Sequence, residues 1–383
     1  QALAARENVV VGVYNPVTPA GLFKLNYRMH DKYVIVDDEM YLLGGRNSND
    51  IFLGDYTTDI NVDRDILVWD ITKGEGESLQ ELEAYFRQIW NEDCVQIKGG
   101  RKKNSSDISV SEEAADDSEG AESNSKNSNI VNGIPNVENE ITDETQEKLS
   151  KYEKQYQSLE MRYASLKEKY TDIEDYSSWQ EDTIPANKIT LVNNGTHAGP
   201  KTPLVLQTIR YLAQNAENVT IQTPYVICNG YMYDTLNEIA SHAQLKIILN
   251  AVEKGSNPWG CTDYLNQKKK ILNTGADVYE LMNEVPVHTK AVLLDDRLSV
   301  VGSYNLDMRS TYLDTELMLV IDSKELNQQI QSTEGTYIEK SKEVLSNGQE
   351  TEGAQYETKE LNWQKKLFYG VLRIIIRPLR QLL

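Results

Sequence analysis

Two segments of the chain carry polar residues of the same types at the same spacing. Each has a histidine, a lysine two positions later, an aspartate five positions after the lysine, and then a glycine and an asparagine. Every matched pair is 258 positions apart, so an internal duplication is the economical explanation. The residues are His30, Lys32, Asp37, Gly44 and Asn47, and His288, Lys290, Asp295, Gly302 and Asn305.

These side chains are suited to reactions at an anionic phosphorus atom. A histidine and a lysine two residues apart on a strand point to the same face, so each segment presents an imidazole beside an ammonium group. If both segments face one cleft, one histidine can attack phosphorus and the other can protonate the departing oxygen, while the lysines stabilise the phosphoryl oxygens. The pattern therefore predicts transfer or hydrolysis at a phosphodiester.

The two segments resemble the duplicated signature of the phospholipase D superfamily. The first reads HDKYVIVD from His30 and GGRN from Gly44, and the second reads HTKAVLLD from His288 and GSYN from Gly302. The residues around the first segment, RMHDK and GGRNSNDIF, are similar to those of bacterial cardiolipin synthases and related phospholipase D-like proteins.

The resemblance implies a role for each matched residue. One of His30 and His288 forms a phosphohistidine, with His30 favoured, and the other acts as general acid and then as general base toward an alcohol or water. Glu316 resembles the carboxylate that orients an imidazole, and Asp65 is its suggested counterpart in the first segment. The expected catalytic residues are His30, Lys32, Asp37, Asn47, His288, Lys290, Asp295, Asn305 and Glu316.

The same resemblance implies which residues bind substrate. Asp37 and Asp295 are expected to stabilise the signature by hydrogen bonds, and no metal ion or other cofactor is expected. The expected substrate-binding residues, which hold the phosphoryl oxygens, are Lys32, Asn47, Lys290, Ser303 and Asn305.

Strand-like and helical segments alternate from residue 188 onward, which predicts an α/β fold with a sheet covered by helices. The resemblance implies two pseudo-symmetric phospholipase D-like domains with mixed sheets. Only 29 residues precede His30, whereas about a hundred residues of its own half precede His288, so the first domain is expected to be truncated at its N-terminus. Strands are predicted at 189–192, 219–223, 245–249, 278–281, 291–294, 299–301 and 316–321, and helices at 203–214, 231–242 and 263–273.

The chain is predicted to contain five regions. Residues 1–98 form the C-terminal part of the first phospholipase D-like domain, and residues 181–345 form the second. Between them lie an acidic disordered insertion at 99–147 and a heptad-patterned helix at 148–180. Residues 346–383 form a C-terminal tail with a basic amphipathic helix, which either lies in a membrane interface or packs on the domain.

The net charge of −20 is concentrated in the insertion, because residues 104–147 contain twelve acidic residues and one lysine. This stretch has too little apolar surface to offset the entropy cost of ordering, so it is predicted to be a solvated linker or an acidic docking segment. Net acidity argues against broad binding to nucleic acid. Three cysteines are too few for a disulfide framework, which favours a reducing compartment.

The helix after the insertion carries an apolar stripe at alternating steps of three and four residues. Such a stripe packs either on the protein's own body or in a self-associating coiled coil. The stripe consists of Leu149, Tyr152, Tyr156, Leu159, Tyr163, Leu166, Tyr170 and Ile173.

The function implied by the resemblance is that of a cardiolipin synthase-type phosphatidyltransferase. Its partners would be a phospholipid, phosphatidylglycerol or a similar lipid, and a membrane surface, with no nucleic acid. Its location would be the bacterial cytoplasmic membrane, peripherally or through an N-terminal anchor, with the active domains on the cytoplasmic side. A phospholipase D hydrolase, a superfamily nuclease and an inactive truncated scaffold are the alternatives, and the oligomeric state is left open.

Overall fold

The computed structural model describes residues 3–5, 8–18, 24–54, 57–99, 143–172, 174–175 and 177–382. Most of the predicted acidic insertion lies outside these residues. The chain divides into two compact units, one formed by Gln1–Val13 and Ile97–Tyr176 and the other by Tyr14–Gln96 and Ser177–Leu383. The second unit contains both signature segments.

The seven strands predicted from residue 188 onward are present within one residue of their predicted bounds, including Ala291–Leu294 after His288. The strands of the described residues are β1 (Val10–Tyr14), β2 (Tyr33–Val36), β3 (Met40–Gly44), β4 (Asp65–Trp69), β5 (Val95–Gly99), β6 (Lys188–Asn193), β7 (Asn218–Gln222), β8 (Gln244–Asn250), β9 (Asp277–Leu281), β10 (Ala291–Leu294), β11 (Leu298–Gly302), β12 (Leu317–Asp322), β13 (Ser341–Val344) and β14 (Glu350–Glu352).

The helices between these strands are mostly amphipathic. They are α1 (Asp50–Leu53), α2 (Glu77–Trp90), α3 (Asp143–Lys169), α4 (Ser177–Glu181), α5 (Leu204–Ala213), α6 (Gly230–Ala240), α7 (Pro258–Leu272), α8 (Met308–Tyr312), α9 (Lys324–Glu339) and α10 (Trp363–Ile375).

Side-chain caps fix where several of these helices begin. Asn229 accepts a hydrogen bond from the Met232 amide at the start of α6, and Asn257 caps α7 in the same way. Ser323 and Asn362 cap α9 and α10. Each cap satisfies a backbone donor that the helix itself leaves without a partner.

The largest sheet has nine strands in the order β14-β13-β9-β8-β7-β10-β11-β12-β6. Strands β7, β8 and β9 are parallel, whereas β10, β11, β12 and β6 pair antiparallel, so the sheet is mixed. Strands β2, β3 and β4 form a separate antiparallel sheet, and β1 pairs with β5. The predicted α/β fold with mixed sheets flanked by helices is confirmed, while the two-domain pseudo-symmetry stays a prediction.

Helices cover both faces of the nine-stranded sheet because its central strands are apolar on both sides. Ile247 of β8 packs with α5, α6 and α7, whereas its neighbour Ile248 faces the side of α9. On the α9 side, Leu319 of β12 packs with Leu43 of β3 and Leu82 of α2. This shared core attaches the three-stranded sheet, and with it His30, to the sheet that carries His288.

Helix α3 lies in the other unit and begins five residues before the predicted heptad-patterned helix. Leu159, Tyr163 and Tyr170 of the apolar stripe are exposed, and Ile173 lies outside the described residues. What this stripe packs against stays a prediction.

Two glycines of the signature lie where neighbouring strands approach too closely for a side chain. A Cβ atom at Gly302 would meet the backbone oxygen of Leu317 and would lie 2.8 Å from the Cα atom of Met318. A Cβ atom at Gly44 would meet the backbone of Arg64 and Asp65 in the same way. Both glycines therefore set the spacing between strands rather than take part in chemistry.

Replacing Gly302 tests this constraint. We expect Gly302→Ala to lower the free energy of unfolding by about 1–3 kcal/mol, because β11 and β12 must separate to admit the methyl group. Gly335→Ala in α9 is the matched control, since a Cβ atom there meets nothing within 4 Å and alanine favours helix by up to about 1 kcal/mol. Urea denaturation followed by circular dichroism measures both, and equal stabilities for the two variants would contradict the close approach.

Candidate active site

His30 pairs with a carboxylate from the second half of the chain. Its Nδ1 atom lies 2.9 Å from Oε1 of Glu316, whose side chain is completely buried. Ser303, in the loop after β11, donates a hydrogen bond of 2.5 Å to the other carboxylate oxygen of Glu316. Glu316 therefore contacts an imidazole, as predicted from the sequence, and that imidazole belongs to the other signature segment.

His288 pairs with a carboxylate from the first half of the chain. Its Nδ1 atom lies 2.7 Å from Oδ2 of Asp63, which is also completely buried. The prediction of Asp65 for this position was wrong. Asp65 instead binds the side chain of Arg46, with 2.6 Å between Arg46 Nε and Asp65 Oδ2.

Strand register explains the displacement by two residues. Gly302 of β11 lies opposite Met318, two residues after Glu316, and Gly44 of β3 lies opposite Asp65, two residues after Asp63. In both segments the carboxylate residue therefore lies two positions before the residue that pairs with the signature glycine on the neighbouring strand. Spacing from the histidine misses one, because 33 positions separate Asp63 from His30 but only 28 separate Glu316 from His288.

Backbone hydrogen bonds hold each histidine against the carboxylate of the other segment. The Val62 amide donates to the oxygen of Pro286 (2.9 Å), and the His288 amide donates to the oxygen of Val62 (2.6 Å). On the other side, the Thr315 amide donates to the oxygen of Arg28 at 3.0 Å. These backbone hydrogen bonds form two isolated parallel β-bridges, Met29 with Thr315 and Val62 with Val287. The bridges fix the direction in which each imidazole approaches its carboxylate.

The two signature lysines fold back toward their own histidines. Lys32 donates to the backbone oxygen of His30, and Lys290 donates to that of His288. Only 1% of Lys290 is exposed, and its Nζ atom lies 3.8 Å from Oδ2 of Asp63. Burial lowers the pKa of both lysines, to about 7 for Lys290. A bound anion would reverse these shifts, because it stabilises the charged ammonium groups.

The same environment keeps both imidazoles neutral. Burial and the neighbouring lysine charges lower the pKa of His30 well below its usual value and that of His288 to about 4. A neutral imidazole that donates from Nδ1 to a carboxylate leaves a lone pair on Nε2. The Nε2 atoms of His30 and His288 can therefore each act as a nucleophile or a base.

The pKa values of the two carboxylates shift in opposite directions. Burial raises the pKa of Glu316, against the effects of the Lys32 charge and the Ser303 hydrogen bond. Burial also acts to raise the pKa of Asp63, but the hydrogen bond from His288 and the charge of Lys290 outweigh it, so the pKa is lowered. Asp63 therefore stabilises a positive charge on its imidazole more strongly than Glu316 does.

The remaining signature residues separate into two groups. Asn305 is buried beside the site, where its Nδ2 atom lies 3.4 Å from the hydroxyl of Tyr225 and its Oδ1 atom has no protein partner among the described residues. Asn47 occupies the matching loop after β3.

Asp37 and Asp295 lie in left-handed turns at the far ends of β2 and β10, about 13 Å along the strand from the histidine end. Asp295 Oδ1 accepts hydrogen bonds from two backbone amides at the start of β7, which is a structural role.

A cavity of about 140 Å³ opens beside His288 and was not predicted from the sequence. The Phe52 ring packs edge-on against the His288 ring, with 4.9 Å between centroids, and forms one wall. The side chain of Asn250 hydrogen-bonds both the amide and the carbonyl of Val287, which fixes the residue before His288. The polar residues that line the cavity are Asn61, Tyr225, Asn250, Ser256 and Asn257.

Comparison with known families matches residues 208–333 to the family described as "Cardiolipin synthase, PLD-like domain". The matched region includes the second signature segment together with Glu316. The chain belongs to the phospholipase D superfamily. The two segments predicted from the sequence contain both histidines and both lysines of the cluster described above.

Curated relatives in the superfamily include cardiolipin synthase A of Escherichia coli O157:H7 (strain EC4115 / EHEC), which is 31% identical over 153 residues. Cardiolipin synthase A of Klebsiella pneumoniae subsp. pneumoniae is 30% identical over 142 residues. These matches cover 38% and 36% of this chain, and 30% and 27% of the two relatives. The matched region therefore spans less than a third of the length of each relative.

Solved structures with similar folds include phosphatidylserine synthase of Haemophilus influenzae Rd KW20. It has a TM-score of 0.49 and 15% identity over 93% of this chain and 71% of that chain. The phospholipase D family member Nuc of Salmonella typhimurium has a TM-score of 0.34 and 12% identity, over 43% of this chain and 99% of that chain.

Within the described residues, no helix combines the length and apolar character needed to cross a bilayer.

The charge state of the two histidines can be measured directly, because the chain contains only four histidines. We expect ¹⁵N NMR at pH 7 to show His30 and His288 as neutral imidazoles protonated on Nδ1, since their lowered pKa values place the charged form below neutral pH. Spectra of His30→Gln and His288→Gln variants assign the signals. An imidazolium at either position at pH 7 would contradict the burial and lysine effects described above.

Proposed function

We propose that this protein is a phosphatidyltransferase of the cardiolipin synthase type that acts through a covalent phosphohistidine. The observation that carries the proposal is the pair of crossed imidazole–carboxylate contacts, His30 with Glu316 and His288 with Asp63, beside the partly buried Lys32 and the buried Lys290. Relatives named cardiolipin synthase A support the lipid substrate, and phosphatidylglycerol is the phospholipid that we propose.

In the first step, Nε2 of His30 attacks the phosphorus atom of phosphatidylglycerol. A P–N bond forms and the bond from phosphorus to the glycerol head group breaks. His288 is neutral in the free protein; it takes up a proton when the anionic phosphodiester binds beside it and passes that proton to the departing oxygen, so glycerol leaves as a neutral alcohol. The lowered pKa of Asp63 favours this assignment, because an ionised partner stabilises the imidazolium that a general acid requires.

In the second step, a hydroxyl of another phosphatidylglycerol molecule attacks the same phosphorus atom. His288 takes the hydroxyl proton, the P–N bond breaks, and cardiolipin is released with His30 restored. Lys32, Lys290, Asn47 and Asn305 bind the phosphoryl oxygens in both steps. The net reaction converts two molecules of phosphatidylglycerol to cardiolipin and glycerol.

The cavity beside His288 is the proposed position of the glycerol unit that leaves or enters. It adjoins the imidazole that exchanges a proton with that unit, and its lining offers amide and hydroxyl groups to a polyol. Ser303 is proposed to act on Glu316 rather than on substrate, because its hydroxyl already donates to that carboxylate. We infer a peripheral location at the bacterial cytoplasmic membrane, where the lipid substrate resides.

Turnover of phosphatidylglycerol in mixed micelles, with a chelator present, tests the function. We expect cardiolipin and glycerol by mass spectrometry, and a loss of more than about 10³-fold in His30→Ala and in His288→Ala. His197→Ala is the matched control, because among the described residues its exposed ring hydrogen-bonds only the nearby Pro200 oxygen. Phosphatidic acid without cardiolipin would indicate a hydrolase, and full activity in either variant would contradict the two-histidine mechanism.

The choice between Asp63 and Asp65 gives a second test of the site. We expect Asp63→Asn to reduce kcat by about 10²–10⁴-fold, because it removes the charge that stabilises the His288 imidazolium. Asp65→Asn removes the same charge two residues away and breaks a partly exposed ion pair with Arg46, so its effect should stay within about fivefold. Equal losses in the two variants would mean that the local fold, rather than the charge on His288, limits turnover.

A further inference from the structure

Helix α10 (Trp363–Ile375) has one apolar side buried and a second apolar side exposed. Tyr369 and Leu372 face the protein, and Ile376 just after the helix is also buried. The exposed side follows steps of four, four and three residues, so its members lie on one face of the helix. The exposed apolar residues are Trp363, Leu367, Phe368, Val371, Ile374 and Ile375.

Polar contacts prevent this helix from turning its exposed face inward. Arg373 Nε donates to Asn266 Oδ1 at 2.9 Å, and Asn266 donates to the Arg373 oxygen at 3.0 Å. Arg380, in the turn that follows, binds the buried carboxylate of Asp263 at 2.5 Å and 3.0 Å. The exposed apolar surface is therefore a fixed feature of the folded chain.

The basic residues around this exposed apolar surface favour an anionic partner. Residues 363–382 contain five basic residues and no acidic residue, in a chain whose net charge is −20, and two of the five, Lys366 and Arg380, form ion pairs with Glu360 and Asp263. An apolar face bordered by basic side chains is typical of helices that lie in the interface of an anionic bilayer, with tryptophan near the headgroups. We propose that the exposed face of α10 docks this protein onto a bilayer that contains anionic phospholipid.

The docking surface adjoins the cavity beside His288. Tyr369 contacts Cys261 and Arg373 contacts Asn266, so α10 and α7 run side by side in the same direction. Cys261 in the first part of α7 and Asn257, which caps this helix, line that cavity. Docking through α10 would therefore hold the cavity close to the lipid headgroups, a consequence that rests on the proposed function.

Flotation of the full chain with vesicles tests the docking surface without reference to activity. We expect binding to vesicles of phosphatidylcholine with phosphatidylglycerol, weaker binding to phosphatidylcholine alone, and weaker binding as salt increases. Leu367→Glu with Ile374→Glu should reduce binding to the anionic vesicles at least tenfold. These side chains are 62% and 69% exposed, so the fold should not depend on them.

Ile71→Glu with Tyr211→Glu is the matched control, because it adds the same two charges at side chains that are 82% and 71% exposed elsewhere. This control should bind vesicles like the parent protein. Gly370→Leu should strengthen binding, since a Cβ atom at Gly370 meets nothing within 4 Å. A parent protein that does not float, or equal losses in both double variants, would overturn the docking surface.

An activity measurement separates failure of this proposal from failure of the proposed function. With phosphatidylglycerol in vesicles, Leu367→Glu with Ile374→Glu should lose turnover at least tenfold, whereas turnover of dispersed short-chain phosphatidylglycerol should be unchanged. Equal loss on both substrates would assign α10 a structural role and overturn docking. Vesicle binding by a protein without turnover would support the docking surface and contradict only the proposed function.

Discussion

The site depends on two hydrogen-bonded pairs in which each imidazole contacts the carboxylate of the other half of the chain. His30 with Glu316 and His288 with Asp63 place four ionisable groups in a largely buried volume, together with Lys32 and Lys290. Removing these charges from water is costly unless every group has a partner. The interlocked backbone at Val62 and Thr315 supplies that pairing only when both halves are folded together.

The shared apolar core makes this interlock possible. Strand β12 packs against α2 and β3 through Leu317, Leu319 and Ile321. The residues between them, Met318 and Val320, pack with the helices of the opposite layer. Glu316 directly precedes β12, so the strand that forms the core also sets the depth of the carboxylate. Packing and catalytic geometry are therefore determined by the same short segment.

Much of this arrangement could be predicted from the sequence, because it depends on local patterns. The strand after each signature lysine and the alternating elements from residue 188 follow from periodicity and spacing, whereas the pairing of an imidazole with Glu316 was implied by the resemblance to the phospholipase D superfamily. Asp63 could not be placed from spacing, because the loop containing α1 is longer than its counterpart before Glu316. The cavity was also missed, since Phe52, Tyr225 and Asn257 come from three distant elements that only tertiary packing brings together.

The crossed pairs also have a genetic meaning. A substitution at Glu316 disturbs the imidazole of His30, which lies 286 positions away. The same substitution leaves His288, the histidine of the same signature segment, in contact with Asp63. Distance along the gene is therefore a poor guide to which imidazole–carboxylate pair a substitution affects. Substitutions at His30 and at Glu316, far apart in the gene, damage one pair, whereas His288, much nearer to Glu316, belongs to the other pair.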